Sequence, residues 1–229
     1  LDDKAIVSFS DAHSFWPHRL GREATIFKKN NGKLSYDEII RQIREKDFFG
    51  TIEAEPAYGK YHFDGHRNCN FSCSPEETKK LNGKCPVCNK DLIIGVEYRV
   101  NELSKLGVAS HKDKKFYYKI LPLHEIISLA IGVGVNSKGV WNIYNSLIEK
   151  FENEFNILLK VSFEELMKVV NNKLLVELIM LNREGKIEVK PGYDGVYGKA
   201  IIGGKEIGVE DDNTIETVKK EKDVQKKLF

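Results

Sequence analysis

Residues 66 to 90 read HRNCNFSCSPEETKKLNGKCPVCNK, and they contain every cysteine of the chain: Cys69, Cys73, Cys85 and Cys88. Four cysteines within twenty positions of a 229-residue chain point to a metal site rather than to disulfides in an intracellular setting. Cys85-Pro86-Val87-Cys88 is a pair spaced by two in a tight turn, which lets both thiolates reach one tetrahedral zinc at about 2.3 Å. A second pair is required, and five residues compete for four positions. His66 with Cys69 repeats the spacing of two; Cys69 with Cys73 is spaced by three. The symmetrical set His66, Cys69, Cys85 and Cys88 is preferred, with Cys73 the alternative fourth ligand and otherwise a small buried residue. Four protein ligands leave no open position for water, so the expected role is structural, holding together a segment too poor in apolar residues to fold by itself.

Working outward from that cluster, residues 1 to about 55 read as strand, loop, strand, helix, strand. AIVSF and EATIF are short apolar runs, NNGK is a turn, and GTIEAE resumes as a strand. SYDEIIRQIREK opens on Ser35 as N-cap with Glu38 three residues later, and sets Ile39, Ile40 and Ile43 on one helical face. Ser74-Pro75-Glu76-Glu77 is a second helix start, with cap, first-turn proline and capping acid. Beyond Leu121 three stretches carry helical apolar spacing: LPLHEIISLAIG, SKGVWNIYNSLIEKFENEF and SFEELMKVVNNKLLVELIMLNREG. The last begins with the capping box Ser162/Glu165, and Trp141, Tyr144 and Phe151 are assigned to the core. KIEVK, PGYDGVYG and KAIIGG form a closing hairpin, and the charged stretch after it reads as a frayed or disordered tail.

The chain is long enough to bury a core. Its 36 basic and 34 acidic residues leave a net charge of +2, so any surface for nucleic acid must be local. The longest apolar runs are too short to cross a bilayer and no leader opens the chain, so a cytoplasmic protein with no membrane partner is expected. The chain begins at Leu1 and its methionines are Met167 and Met180, which suggests a start inside a longer protein.

The remaining chemistry-bearing stretch is SDAHSFWPHRLGRE, residues 10 to 23. Asp11 and His13 project to one side of an extended loop, and a carboxylate beside an imidazole suits Mn, Fe or Zn in a hydrolytic site. The same spacing also fits a polar loop with capping roles. His18 and Arg19 would add cationic donors for a phosphate.

SFSDAHSFWPHRLGREATIF resembles the end of a polymerase-and-histidinol-phosphatase (PHP) domain. GTIEAEPAYGKYHFDGHRNC, CPVCNKDLIIGVEYRVNELS and KIEVKPGYDGVYGKAII resemble, in the same order, further landmarks of the endonuclease Q type. Together these cover roughly residues 1 to 203. The resemblance implies a DNA-repair endonuclease cutting on the 5′ side of deaminated bases such as uracil or hypoxanthine, or of abasic sites. It implies a mixed α/β and α fold: a terminal piece of a PHP-type α/β barrel (1–55), a small zinc-binding domain (56–105), a mainly helical domain with its hairpin (106–204) and the charged tail (205–229).

Asp11 and His13 fall on the catalytic metal-ligand positions for Mg, Mn or Zn, and the structural zinc falls on the 66-to-88 cluster, where the resemblance favours His66. The His-x-His motif that opens PHP domains is absent, so the expected partners are damaged DNA and a separate PHP portion bearing the other ligands. DNA contacts are expected from Lys114, Lys115, Tyr117 and Tyr118, and from Lys190, Tyr193 and Tyr197, with lysines on phosphates and aromatics on an unstacked base. The same aromatics would equally serve to pack the hairpin and the domain junction. Two other readings stand beside the nuclease: a noncatalytic zinc-containing DNA-binding module, and a zinc-stabilised scaffold for another protein.

Overall fold

The structure, a computed structural model, describes residues 4–13, 15, 20, 22–29, 32–104, 115–202 and 205–207. In chain order the elements are β1 (Ala24–Ile26), α1 (Tyr36–Arg44), β2 (Gly50–Glu53), β3 (Asp64–His66), β4 (Phe71–Cys73), α2 (Pro75–Lys80), α3 (Val96–Ser104), β5 (Phe116–Lys119), α4 (Leu123–Ile131), α5 (Lys138–Phe151), α6 (Glu154–Leu159), α7 (Phe163–Val169), α8 (Lys173–Arg183), β6 (Glu188–Lys190), β7 (Lys199–Ile202) and β8 (Lys205–Ile207).

Three small sheets organise them. β2 is the centre of the first, antiparallel to β1 and parallel to β5. The segment from β3 to α3 therefore lies inside a parallel crossover, and the β3–β4 hairpin is its own two-stranded sheet. The third sheet is the antiparallel β6–β7–β8, so Lys205–Ile207, given to the tail by the sequence, pairs as a strand. The rest of that tail lies outside the described residues.

AIVSF is a further departure: no strand forms there, and the segment is tied to β1 by Ser8, whose N–H donates to Thr25 Oγ1 at 2.9 Å while that hydroxyl donates to Ser8 O at 2.9 Å. α1 starts at its expected cap, Ser35 Oγ accepting the N–H of Glu38. The residue it buries completely is Gln42, however, whose amide donates to Lys28 O at 2.8 Å and accepts Lys28 N–H at 2.9 Å. Those bonds satisfy backbone that runs past the end of β1.

The main core lies in the helices after β5. Leu123, Ile126, Ile127, Val140, Leu147, Ile157, Leu166, Leu175, Val176 and Ile179 are fully buried, and Ile52 and Ile120 of the first sheet join the same cluster. Tyr144 is buried in it and Trp141 and Phe151 pack against it. Two of the three helical stretches are each split in two. Asn153 accepts the N–H of Asn156 and starts α6 after Glu152 takes a φ of 73°, while Asn172 accepts the N–H of Leu175 and starts α8. Asparagine competes with the helix through its own side-chain hydrogen bonds, so apolar periodicity ran through both breaks without registering them. The capping box at Ser162/Glu165 is formed. Among the described residues, no helix is long and apolar enough to cross a membrane.

Candidate metal centre

β3 ends at His66, a 3-10 turn covers Arg67–Cys69, and Asn70 then takes the left-handed conformation (φ 48°) that turns the chain back into β4. The second half repeats the device: Cys85 to Cys88 form a tight turn closed by Asn89 at φ 60°, whose N–H donates to Cys85 O at 2.8 Å. Asparagine tolerates left-handed backbone better than other non-glycine residues, so each ligand pair is followed by the residue type its turn requires. The asparagine after each pair, in HRNCN and CPVCN, is the signal the spacing argument did not use.

These two turns bring one ligand atom each from His66, Cys69, Cys85 and Cys88 to within 4.8 Å of one another. A tetrahedron of donors ~2.3 Å from a zinc has edges of roughly 3.8 Å, so the cage needs only a small contraction to close on an ion. The imidazole faces the sulfurs through Nδ1, 3.3 Å from Cys88 Sγ. Cys73 is outside the group, buried on β4 with its Sγ 3.2 Å from Thr78 Oγ1. The set is able to hold a metal ion, and three soft sulfur donors with one imidazole suit zinc.

The electrostatics of the cage are uneven. Burial opposes ionisation of Cys85, but the backbone N–H groups of Cys88 and Val87, with His66 and the Cys88 thiol, hydrogen-bond its sulfur and bring its pKa down to about 6. Cys69 is pushed up to about 11, first by its hydrogen bond with Cys88 and then by burial. The Cys85 thiolate is thus prepared by the fold, whereas Cys69 needs a cation's charge to ionise.

The apolar support is thin: Cys73, Cys85 and Leu92 form the module's buried cluster, with Cys69, Phe71 and Leu81 around it. A second support comes from far along the chain. The loop between β6 and β7 lies back on the module, with Phe63 N–H donating to Gly192 O (2.9 Å), Gly195 N–H to Lys60 O (3.0 Å) and Arg67 N–H to Asp194 Oδ2 (2.7 Å). Tyr193 is buried there and its hydroxyl donates to Asn70 Oδ1 at 2.9 Å, on the first metal turn. The expected stacking role of Tyr193 therefore gives way to packing: its ring lies against Gly65, where an added Cβ would sit 2.3 Å from Tyr193 Cδ2.

The other candidates are more exposed. Tyr197 is 42% exposed with Lys60 Nζ 4.3 Å from its ring centroid, and Tyr117 is 60% exposed on β5. Lys115 Nζ lies 5.5 Å from the ring centroid of Phe48, Lys190 is exposed on β6, and Tyr118 is half-buried edge-on to Phe116. Lys114, His18 and Arg19 lie outside the described residues.

Asp11 and His13 do come together: His13 Nε2 is 3.3 Å from Asp11 Oδ2, and both side chains are almost wholly exposed. Among the described residues no third donor joins them, and the His66 group is the one set of three or more potential ligands. Two donors do not hold a catalytic cation in place, so no chemical step is built on this pair alone.

Residues 122–186, the helical core, match the MJ0043 C-terminal domain family. The chain is 37% identical over 202 residues to the uncharacterized protein MJ0043 of Methanocaldococcus jannaschii, covering 87% of this chain and 26% of that protein. It is 27% identical over the same length to the uncharacterized protein YqxK of Bacillus subtilis, of which it covers 47%. Among solved structures, the lesion-specific endonuclease PfuEndoQ of Pyrococcus furiosus superposes with a TM-score of 0.74 at 30% identity, over 85% of this chain and 48% of that one. An endonuclease Q bound to a 27-mer duplex with an abasic lesion at its active site superposes with a TM-score of 0.68 at 29% identity, over 85% of this chain and 49% of that one. The resemblance to endonuclease Q extends over most of the chain in sequence and in fold, and the chain spans half or less of the length of each of these proteins.

Proposed function

We propose that this chain is the lesion-recognition part of a metal-dependent DNA-repair endonuclease that cuts 5′ to deaminated bases or abasic sites. The observation that carries this reading is the superposition on endonuclease Q over 85% of the chain at 30% identity. In this reading zinc occupies the His66, Cys69, Cys85 and Cys88 cage and rigidifies the module against which the β6–β7 loop packs. Lys60, Lys115, Lys190, Tyr117 and Tyr197 supply phosphate and base contacts. Asp11 and His13 are two ligands of a catalytic cation whose other donors come from a PHP-type portion.

A second reading, DNA binding without turnover, is favoured for the chain by itself, since Asp11 and His13 stand as an exposed pair with no third donor among the described residues. The deciding experiment is gel-resolved binding and cutting of a labelled duplex holding one uracil, against the matched duplex, with Mg²⁺ or Mn²⁺ and then with chelator. The expected result is uracil-selective binding that weakens steeply with salt and produces no incision. Equal affinity for both duplexes, or none for either, refutes the recognition role; metal-dependent incision 5′ to the uracil refutes the need for a partner portion.

A further inference from the structure

The three sulfurs of the metal cage differ in their access to solvent. Cys88 is exposed, Cys69 half-buried and Cys85 buried, although the ligand atoms of all three and of His66 lie within 4.8 Å of one another. Cys88 ends a turn that stands out into solvent, with Pro86 exposed and Val87 68% exposed. Cys73, the chain's one cysteine outside the cage, is buried with its sulfur against Thr78. A small solute therefore meets the Cys88 sulfur first, with a second sulfur of the same turn within reach of it.

Metal-bound cysteines are held as thiolates, the form that peroxides oxidise. We infer that the cage is a redox switch: hydrogen peroxide oxidises Cys88, Cys85 closes a disulfide on it, and the metal module comes apart. The inference rests on the reading that zinc occupies the cage. In the first step the Cys88 thiolate attacks one peroxide oxygen; the S–O bond forms, the O–O bond breaks and hydroxide leaves. In the second the Cys85 thiolate attacks the Cys88 sulfur; the S–S bond forms, the S–O bond breaks and a second hydroxide leaves. Two thiolates lose two electrons, the peroxide gains them, and two waters result once solvent protonates the hydroxides. Cys85 closes the bond because it shares the turn. Asn89 N–H donates to Cys85 O at 2.8 Å and folds the chain around the pair, so the two sulfurs meet by rearranging that turn alone, whereas Cys69 has to be drawn across from the other turn.

The consequence follows from what remains. A Cys85–Cys88 bond leaves His66 and Cys69, both on the first turn, and two donors do not retain a structural zinc. Cys85 is also one of the three buried side chains of the module's apolar cluster, so the bond disturbs that cluster as well as the cage. The first turn is where the β6–β7 loop is seated, with Arg67 N–H donating to Asp194 and the Tyr193 hydroxyl donating to Asn70. Oxidation thus unseats the loop that carries Tyr197, over whose ring Lys60 Nζ lies at 4.3 Å from the centroid.

To test this, the zinc-loaded whole chain is titrated with hydrogen peroxide beside a zinc-responsive dye, and its thiols are mapped by alkylation and peptide mass spectrometry. The expected result is one zinc released for each peroxide consumed, a Cys85–Cys88 disulfide and a Cys69 that still alkylates. Amide exchange across residues 192–198 rises at least tenfold on release, and dithiothreitol with added zinc reverses both changes. Cys73→Ser behaves like the parent. Cys88→His keeps four donors without the exposed sulfur and slows release at least tenfold; if that variant holds no zinc, the thiol map and Cys73→Ser decide by themselves. Zinc retained through a tenfold excess of peroxide overturns the inference, as does release without a disulfide, a disulfide through Cys69 or Cys73, or unchanged exchange across 192–198. A chain that takes up no zinc overturns both the switch and the metal site it rests on. Binding of the labelled uracil duplex is followed in parallel: a reduced, zinc-loaded chain that binds no duplex removes the recognition role, while zinc, disulfide and exchange still decide the switch.

Discussion

The metal cage makes the sharpest forecast, because two neighbouring cysteines differ in what they do. Replacing Cys69 with serine removes one of four donors within 4.8 Å of one another, whereas replacing Cys73 with serine alters a buried group whose contact is Thr78 Oγ1 at 3.2 Å. Structural zinc contributes about 10–16 kcal/mol to small modules of this kind, or roughly 3 kcal/mol for each of four ligands, so Cys69→Ser should weaken zinc at least 100-fold. Cys73→Ser swaps a small thiol for a hydroxyl of similar shape with a hydrogen-bond partner at hand, and about 1 kcal/mol is the expected cost, with zinc content unchanged. His66→Ala should behave like Cys69→Ser. Metal content after dialysis against a graded chelator, read by mass spectrometry, decides between them. Cys73→Ser losing the ion while His66→Ala keeps it would overturn the assignment and place the four thiols around the metal instead.

Elsewhere the fold predicts measurable costs. Asn182 is buried between α8 and the end of β5, accepting Leu121 N–H at 2.8 Å and donating to Leu121 O at 3.2 Å; Asn182→Leu should cost about 2–4 kcal/mol in urea unfolding by stranding both backbone groups. Gly65→Ala should destabilise by about 2 kcal/mol, because its Cβ would meet Tyr193 Cδ2 at 2.3 Å and Phe71 O at 2.8 Å, and adding Tyr193→Ala should recover part of that loss in a double-mutant cycle. Burial raises the Glu154 carboxyl, so the folded chain holds this proton more tightly than the unfolded one; the stabilisation is full below the ordinary value of 4.5 and is lost as pH rises through the higher folded value. Thermal melts should therefore show Glu154→Gln gaining on the parent as pH rises from about 4 through that window, and parallel curves would refute the assignment.

How much of this was legible in the sequence depends on whether the cause was local. The caps at Ser35, Ser74 and Ser162, the spacing of two in both ligand pairs and the β6–β7 hairpin are set within a few residues, and each appears in the structure. The breaks at Asn153 and Asn172 were equally local, but apolar periodicity continued across them, and periodicity was the stronger pattern. The remaining surprises are long-range. Nothing near Tyr193 indicates that its hydroxyl reaches Asn70, 123 residues earlier, and nothing near Gln42 indicates that it completes the hydrogen bonding of Lys28. A cavity lined by Arg22 and Glu154 is of the same kind, assembled from segments more than a hundred residues apart that carry no recognisable motif.

The path of the chain explains why a module with so small a core would be kept. β2 and β5 are parallel neighbours, so the polypeptide must leave the sheet and return from the far end, and the metal module occupies that excursion. A module whose own apolar cluster is three buried side chains would ordinarily be loose, and the excursion's ends are the strands that carry Glu53, which accepts the Ser8 hydroxyl, and Lys119, which leads into the cavity wall at Ile120. An ion held by the four ligands between His66 and Cys88 would fix the middle of the excursion, and the β6–β7 loop meets its outer face through Gly192, Asp194 and Tyr193. The aromatic and basic candidates for DNA contact stand on or beside these same elements: Lys60 on the excursion, Lys115 just before β5 and Tyr117 on it, and Lys190 and Tyr197 on β6 and its loop. A surface assembled from three separated stretches keeps one shape only if they are held together, and the β6–β7 loop meets the excursion at Arg67 and Asn70, on the first metal turn.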